Sequence, residues 1–350
     1  MKKLFVVFLL LPALSFSYIY AENLSLKLEQ SYEYDTVFAR IFFDAVVDQD
    51  GDLILAFGVP GCTIVNSETL DLVAPAGKGP GDLSGYFALN ILGNLELDIE
   101  GFAGKVHVFK KQNGVYKWQR DEIREIKRSF SPSDACFFRN KWLVAEVRTS
   151  FDNKKARFEA TFLHVYSDKG KFVKDMITEI YDEPWSIHLL YCFLAEYKNQ
   201  VFFLSENKLL LRIITGDNSK VAKTVNLEIP KFYQKMPKGF YYYNNNGQTI
   251  TSQDFWKSMA LWKTGYSRIC NVLVDGRWLI VQVRTADEDN KLFGLLFYDA
   301  DTFELKHTIM TNDLLLANKD GKLYFFRGGN PTWDDVEDTV FDIYKIVETK

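Results

Sequence analysis

Short apolar runs alternate with short polar turns along most of the chain. The run LILAF at 53–57 follows the turn DQDGD, and WLIVQV at 278–283 follows VDGR. Asp-Gly between two such runs is a strong hairpin signal, and Val, Ile and aromatic residues favour strands. Because WLIVQV is apolar on both faces instead of strictly alternating, its strand is expected to be buried on both sides. The pattern predicts an all-β protein built of hairpins.

One part of this pattern repeats closely. The segment KWLVAEVRTSFDNK at 141–154 resembles RWLIVQVRTADEDNK at 277–291, and their Trp-Leu and Arg-Thr pairs coincide at an offset of 136 residues. Self-similarity of this kind is typical of repeat architectures. A weaker unit runs through the rest of the chain. It consists of an apolar run, a tight polar turn, a second run, a loop and an apolar hairpin.

The turns of this unit recur along the chain. First turns are predicted at 48–52, 101–105, 139–141, 197–200, 274–277 and 319–322. Turns of the second hairpin are predicted at 66–69, 111–114, 167–171, 215–219 and 299–302, and the last unit ends in a strand at 339–348. Units of this kind predict a six-bladed β-propeller of four-stranded antiparallel blades. A strand at 24–30 would pair into the last blade and close the ring. Two separate β-sandwiches are the alternative.

A glycine-rich stretch, AGKGPGD at 76–82, joins the first unit to the second. It lacks the order of a phosphate-binding loop, in which Gly-Lys-Ser/Thr opens a helix. A tight turn is predicted instead, because glycine tolerates positive φ and proline fixes φ.

This stretch, with TIVNSETLDLVAP before it, resembles the exported six-bladed β-propellers with NHL-like repeats. In that family a blade commonly ends in Gly-x-Gly-Pro-Gly-Glu-Phe. Gly77, Gly79, Pro80 and Gly81 match this motif as structural turn residues, and Asp82-Leu83 replaces Glu-Phe. The resemblance implies the fold and export more firmly than an activity.

The N-terminus has the layout of a secretory signal peptide. Lys2 and Lys3 precede an apolar run at 4–14 that is shorter than the ~20 residues of a spanning helix. We predict a signal peptide at 1–21 and one domain at 22–350, exported to the periplasm or the exterior as a soluble monomer without a membrane span. Removing 1–21 changes the net charge from −4 to −6 through the loss of two lysines. An acidic protein is a poor match for nucleic acid.

The cysteines do not suggest a metal site. Cys62, Cys136, Cys192 and Cys270 lie far apart in strand-like apolar runs. They are expected to be buried small hydrophobes, and their disulfide state is left open. The turn DQDGD lacks the glycine and glutamate positions of an EF-hand calcium loop, so a hairpin turn is predicted there.

The loops between the second and third strands share one end of a propeller with the blade-to-blade connections. Arg148 and Arg284 are expected to end equivalent strands at that end and could clamp a carboxylate or phosphate. The alternative is that each pairs with a nearby acid, such as Asp152 or Asp287. Trp333 lies among four acids in TWDDVEDT, which is either a cation-holding or a solvated loop.

The largest departure from the repeat is an insertion at 230–268. Its second half predicts a helix that Ser252 caps and Gly265 ends. Tyr242 and Trp256 are left over from the apolar face of that helix, and exposed aromatics beside amide side chains suit sugars or peptides. The alternative is that they pack the insertion onto its blade.

These observations favour a binding protein over an enzyme. The predicted partner is a protein, peptide or glycan held at the loop face, with the insertion at 230–268 as a lid or contact surface. The alternative is a metal-dependent hydrolase or lactonase-like propeller enzyme with a site in the central channel. Its ligands would be acids or amides that enter the innermost strands, and the candidates are Asp44, Asp98 and Asp134. No cofactor is expected for the binding protein, and a channel calcium ion belongs to the alternative.

Overall fold

The structure is a computed structural model. It describes residues 23–34, 42–57, 61–65, 70–75, 88–92, 96–100, 105–123, 133–152, 157–181, 191–216, 219–235, 265–286, 293–327 and 339–349. Within these ranges the regular elements are β-strands, and no helix occurs. None of the described residues therefore belongs to a helix that is long and apolar enough to cross a membrane.

The strands form six four-stranded antiparallel sheets, numbered here in chain order. Sheet 1 contains β2 (Phe42–Val47), β3 (Leu53–Phe57), β4 (Gly61–Val65) and β5 (Leu70–Pro75). Sheet 2 contains β6 (Ala88–Leu92), β7 (Glu96–Glu100), β8 (Lys105–Gln112) and β9 (Val115–Ile123). Sheet 3 contains β10 (Asp134–Phe138), β11 (Lys141–Asp152), β12 (Arg157–Ser167) and β13 (Phe172–Tyr181).

The second half of the chain continues this order. Sheet 4 contains β14 (Cys192–Tyr197), β15 (Gln200–Ser205), β16 (Lys208–Thr215) and β17 (Lys220–Asn226). Sheet 5 contains β18 (Arg268–Asp275), β19 (Trp278–Arg284), β20 (Phe293–Asp299) and β21 (Leu305–Thr311). Sheet 6 contains β22 (Leu314–Lys319), β23 (Lys322–Phe326), β24 (Thr339–Thr349) and β1 (Asn23–Tyr34).

The first strands of the six sheets contact one another in a closed cycle. β2 lies against β6, β6 against β10, β10 against β14, β14 against β18, β18 against β22, and β22 against β2. Sheets that radiate from such a ring form a β-propeller. The prediction of an all-β propeller with four-stranded antiparallel blades is confirmed.

The core lies between neighbouring sheets rather than inside any one of them. In β19, Leu279 and Val281 pack in a buried apolar cluster with sheet 4, whereas Trp278 and Ile280 pack in another with sheet 6. Every residue of β19 is buried. This explains why the sequence of this strand is apolar on both faces, because each face meets a different neighbour.

The ring is closed by a strand from the other end of the chain. β1 pairs with β24 from Asn23↔Thr349 to Tyr34↔Thr339. Arg327 donates through Nε to Asp342 Oδ2 at 2.8 Å and through Nη2 to the Ser31 hydroxyl at 3.0 Å, so an ionic contact seals the same joint. The predicted pairing of the strand at 24–30 into the last sheet is confirmed.

Most predicted turns are confirmed, and one is wrong. Residues 101–104 connect β7 to β8, the second and third strands of sheet 2, so they are not a first turn. The connection between β6 and β7 is 93–95, which lies outside the described residues. Gly93-Asn94 is itself a turn signal, and the short strands around it made the later GFAGK look like the first turn.

Several predictions fall wholly or partly outside the described residues. These include the signal peptide at 1–21, most of the insertion, at 236–264, the turn at 66–69 and part of the turn at 215–219. The helix predicted from Ser252 to Gly265 is therefore not described, and the described edges of the insertion, 230–235 and 265–268, contain no helix. The cysteines are free thiols, buried at Cys62, Cys136 and Cys192 and partly buried at Cys270. Burial as small hydrophobes is confirmed for the first three.

Candidate functional site

The two ends of the propeller are built from different connections. The tight turns between first and second strands and between third and fourth strands lie at one end, called the turn end. The connections between second and third strands and from one sheet to the next lie at the other, called the loop end. Ligands commonly bind where long connections gather around a rigid scaffold.

Two arginines meet at the loop end of sheet 5. Arg268 is the first residue of β18 and pairs across the hairpin with Arg284, the last residue of β19. Arg284 is only 3% exposed. Arg268 donates from Nη1 to Glu206 Oε1 at 3.1 Å. Glu206 lies in the turn between β15 and β16, so this ion pair joins sheets 4 and 5.

Glu206 is fixed on every side by hydrogen bonds. Its Oε2 accepts the N–H of Tyr191 at 3.0 Å, and its own N–H donates to the Tyr191 carbonyl at 2.8 Å. Its carbonyl accepts the N–H of Ile269 at 2.8 Å. Burial alone would lower the pKa of Arg268, but the negative charge of Glu206 and its hydrogen bond raise it above its ordinary value. The arginine therefore stays charged in this partly buried position.

A β-bulge at Cys270 sets the alignment of the two arginines. The pairing of β18 with β19 shifts between Ile269 and Asn271. Without that shift the hairpin would place Arg268 opposite Thr285 instead of Arg284. Burial raises the pKa of the Cys270 thiol, and the positive charges of Arg268 and Arg284 oppose that rise. Both guanidinium groups thus act on the same bulged residue.

A second basic group lies at the loop end of sheet 4. Lys208 Nζ contacts Glu179 Oε2 at 2.5 Å, and Arg212 Nη2 contacts Glu179 Oε1. Glu179 is near the end of β13 in sheet 3, so this pair of contacts joins sheets 3 and 4. Lys208, Arg212, Arg268 and Arg284 with Glu179 and Glu206 are called the basic cluster below.

The base of the insertion lies beside the basic cluster. Gln234 N–H donates to the Ser267 hydroxyl, and Ser267 N–H donates to the Gln234 carbonyl, both at 2.9 Å. The ring of Phe232 packs against Gly294 of β20 so closely that a Cβ there would overlap it. The segment that connects sheet 4 to sheet 5 is therefore clamped at one point, one residue before Arg268.

The central channel contains a cavity of about 190 Å³. Asp44, Asp134 and Asn271 line it from three different first strands. Each side chain accepts the N–H of the next residue, at 2.8, 2.7 and 2.7 Å respectively. The same local arrangement therefore recurs in sheets 1, 3 and 5.

Two of these side chains also reach the neighbouring sheet. Asp134 Oδ2 accepts the N–H of Leu194 at 2.6 Å, and Asn271 Nδ2 donates to the carbonyls of Leu315 and Leu316 at 2.9 Å. Burial, and then the charges of Asp44 and Glu196, raise the pKa of Asp134 well above its ordinary value. Asp134 and Asn271 thus hold adjacent first strands together, which is a structural role for polar side chains in the channel.

The nominated metal ligands do not converge as the enzyme alternative requires. Asp98 lies in β7, a second strand, where it pairs with Asn90 and Val108, so its expected place on an innermost strand is wrong. The first turn of sheet 2 was predicted at 101–105 instead of 93–95, and this error assigned the second strand to the place of the first. Within the described part of the chain, the one group of three acids with neighbouring ligand atoms is Asp48, Asp50 and Asp52.

That acidic group already holds an ammonium of the protein. Lys111 Nζ lies 2.7, 2.5 and 2.9 Å from carboxylate oxygens of Asp48, Asp50 and Asp52. Asp48 also accepts the N–H groups of Asp50 and Asp52, at 2.9 and 3.0 Å, and Gly51 has φ +90°. The prediction of a hairpin turn at DQDGD is confirmed, with a lysine from sheet 2 at its centre.

Among the residues predicted to bind a ligand at the loop end, only Arg284 has a described side chain, and it belongs to the basic cluster. Arg148 lies within β11, which continues to Asp152, so the expectation that it ends its strand is wrong. Tyr242, Trp256 and Trp333 lie outside the described residues. So do the turn residues Gly77, Gly79, Pro80 and Gly81.

Sequence reasoning missed Arg268, Glu206 and Tyr191. The hairpin VDGR fixed the register of β18 and β19 closely enough to bring Arg268 near Arg284, and this signal was available. Glu206 and Tyr191 belong to sheet 4, and only the packing of neighbouring sheets brings them to the same place.

Comparisons with known proteins give fold relatives and no family. No family model and no curated protein matches the chain. A presumed exported protein of Bacteroides fragilis has a similar structure, with a TM-score of 0.58 and 12% identity over 94% of this chain and 96% of that one.

Two weaker similarities support no argument at their TM-scores. A presumed oxidoreductase (glucose dehydrogenase) of Thermus thermophilus gives 0.48, with 12% identity over 91% of this chain and 100% of that one. BamB of Moraxella catarrhalis gives 0.43, with 8% identity over 92% and 100%. The likeness to the Bacteroides protein concerns the fold alone, and the function has to be argued from the site.

Proposed function

We propose that this chain is an exported propeller, related to those with NHL-like repeats, that binds a protein, peptide or glycan at its loop end. The observation that carries the proposal is the basic cluster, with Arg268 partly exposed and Arg284 buried behind it. The molecule as a whole is acidic, with a net charge of −4. A group of cations at one end of an acidic protein is a feature that steers and orients a partner.

Export to the periplasm or the exterior, as a monomer, is part of the proposal. It is supported by the signal-like pattern at 1–21 and by the fold relative that is itself presumed to be exported. The channel enzyme is not favoured, because Asp44 and Asp134 use oxygens to hold backbone N–H groups.

The proposal is tested by capture. The protein comprising residues 22–350 is immobilised and exposed to the envelope fraction and medium of its own organism, and the retained molecules are identified by mass spectrometry. We expect one partner to be retained at physiological salt. A variant that lacks 236–262, closed by a short Gly-Ser linker across the Gln234–Ser267 clamp, is expected to keep its thermal unfolding temperature and to lose the partner.

A control variant makes the outcome decisive. Lys198→Ala changes an exposed lysine at the turn end and should leave capture intact. Unaltered capture by the deletion variant would contradict the role of the insertion, and its failure to fold would make the insertion a structural part of sheet 5. Retention of nothing by the intact protein would contradict the binding function.

A further inference from the structure

We infer that Trp118 and Asp121 form a sugar-binding site on the outer edge of sheet 2. Both residues belong to β9, the fourth and outermost strand of that sheet. The basic cluster belongs to sheets 3, 4 and 5, so this inference concerns a different site and goes beyond the proposed function.

Trp118 differs from the other tryptophans whose exposure the structure describes. Trp142 and Trp278 are 4% and 3% exposed, whereas Trp118 is 39% exposed. Burial of large aromatic rings is a main source of stability, so an exposed indole gives up part of that gain. The indole of Trp118 therefore has apolar surface available for a ligand.

The exposed ring is nevertheless fixed in position. Its indole N–H donates to Asp121 Oδ1 at 2.8 Å. The same oxygen lies 2.9 Å from His107 Nδ1, and His107 is only 1% exposed. These hydrogen bonds anchor the indole to the buried part of sheet 2. Since the ring does not have to be ordered on binding, a ligand meets a preorganised surface.

A β-bulge brings Trp118 and Asp121 to the same face of β9. Residues three apart in a regular strand lie on opposite faces. Here the pairing with β8 shifts at Gln119, so that Trp118 lies opposite Phe109 and Asp121 lies opposite His107. Bulges re-aim side chains and are frequent beside functional sites. The bulge thus joins an indole and a carboxylate that a regular strand would separate.

Sheet 3 shows that such a histidine–aspartate pair forms without a tryptophan on its fourth strand. His164 Nδ1 lies 2.7 Å from Asp175 Oδ1, across the third and fourth strands of that sheet, and its side chain is fully buried. No tryptophan occurs in β13. The side chain of Asp175 is 48% exposed there, whereas that of Asp121 is 22% exposed under the indole. The indole of sheet 2 is therefore an addition to a structural pair.

The chemistry of the indole and carboxylate matches a pyranose ring. Such a ring has an apolar C–H face that stacks on an indole, and hydroxyl groups at its edge that donate to a carboxylate. Apolar surface with a few fixed polar groups is the composition of small-ligand sites. Lys110 and Lys117 lie opposite each other in the adjoining strands and are both exposed, which disfavours a cation, the other class of ligand that indole faces bind.

The test titrates neutral hexasaccharides into the protein comprising residues 22–350 by calorimetry. The probes are cellohexaose, maltohexaose and N-acetylchitohexaose. We expect at least one of them to bind with a Kd at or below about 1 mM. Trp118→Ala should weaken that sugar at least about tenfold, and Trp118→Phe should weaken it less, because a ring remains. Asp121→Asn should also weaken it, because the charged acceptor is lost.

The matched control is Asp175→Asn, which changes the corresponding pair in sheet 3 and should leave the affinity within about twofold. No binding of any of the three sugars, or an unchanged affinity in Trp118→Ala, would overturn the inference. So would tighter binding of tetramethylammonium than of the sugars, since the indole would then serve a cation. Should Trp118→Ala misfold by circular dichroism, equal affinities of Asp121→Asn and Asp175→Asn would overturn it instead.

Failure of the inference and failure of the proposed function give different results. Sugar binding that survives Trp118→Ala would place the sugar elsewhere on the molecule, and capture of a native partner at the loop end would still stand. Sugar binding that depends on Trp118, with no native partner captured, would support the inference and contradict the proposed function.

Discussion

The two ends of this propeller arrange their charged side chains differently. At the turn end, Lys111 is enclosed by Asp48, Asp50 and Asp52, and its side chain is only 5% exposed. At the loop end, Lys208 and Arg212 contact Glu179, Arg268 contacts Glu206, and the side chains of Lys208 and Arg268 are 39% and 21% exposed. The cation of the first arrangement is enclosed, whereas two cations of the second are partly exposed.

The difference follows from the connections at each end. Tight turns at the turn end bring adjacent sheets close enough for direct bonding, as when Asp275 Oδ2 accepts from both Asn318 Nδ2 and Gly321 N–H at 3.1 Å. Polar groups there serve to lock one sheet to the next. At the loop end Glu206 also lies in a two-residue turn, between β15 and β16, but Lys208 and Arg268 stay partly exposed there, which is where a binding site can develop.

The largest expected effect lies at the turn end. Lys111→Met would leave the carboxylates of Asp48, Asp50 and Asp52 together without this ammonium, and Asp48 is buried. Removing one partner of a buried ion pair typically lowers the free energy of unfolding by about 3–5 kcal/mol. We expect a loss of this order in the free energy of unfolding, measured by urea denaturation. Lys198→Met is the matched control, because Lys198 and Asp301 each have side chains 58% exposed. A loss no greater than that of the control would show that the turn end is not closed by this lysine.

An intermediate effect is expected where the insertion joins sheet 5. Gly294→Ala would drive a methyl group into the ring of Phe232, and overpacking of this kind costs about 1–3 kcal/mol. The cost should disappear in a Phe232→Ala background, where space is available. A double-mutant cycle on the free energy of unfolding measures this coupling. Additive effects would contradict the packing of Phe232 on Gly294 and weaken the view of the loop end as a rigid base.

The smallest expected effect concerns the channel between the two ends. The raised pKa of Asp134 means that the folded state favours the protonated carboxyl. The folded state therefore loses no stability through this group below its ordinary pKa of about 4, and loses stability as the pH rises above that value. Asp134→Asn should be less stable than the parent near pH 5, because an amide does not replace both acceptors. The difference in the free energy of unfolding between the two proteins should narrow as the pH rises towards 8.

Urea denaturation across this pH range checks the prediction. Asn271→Asp is the reciprocal variant, since it places a carboxylate in the equivalent position and should acquire the pH dependence that Asp134→Asn loses. Parallel profiles for the parent and Asp134→Asn would contradict the raised pKa of Asp134.

The fold could be predicted because its signals are local. Turns such as VDGR and KDGK are decided by neighbouring residues, and they fixed the hairpins correctly. The first turn of sheet 2 was misplaced because two nearby Gly-containing segments, at 93–95 and 101–104, both have the sequence of a turn, and the later one was chosen. The basic cluster was only partly predictable. Arg284 could be found from the repeat, and the VDGR hairpin places Arg268 near it. The bulge at Cys270, which aligns the two arginines, and the packing of sheet 4, which brings Glu206, leave no pattern in the sequence.

The pairing of β1 with β24 has a consequence for how the molecule is made. Ser31 and Asp342 bond across 311 residues of chain. During synthesis β1 has no partner until β24 has emerged from the ribosome, so the ring can close only late. Contacts so distant in sequence slow folding, because the entropy of closing a long loop has to be overcome first. The ring of the nascent chain therefore stays open until its last strand has been made, even where earlier sheets have already formed.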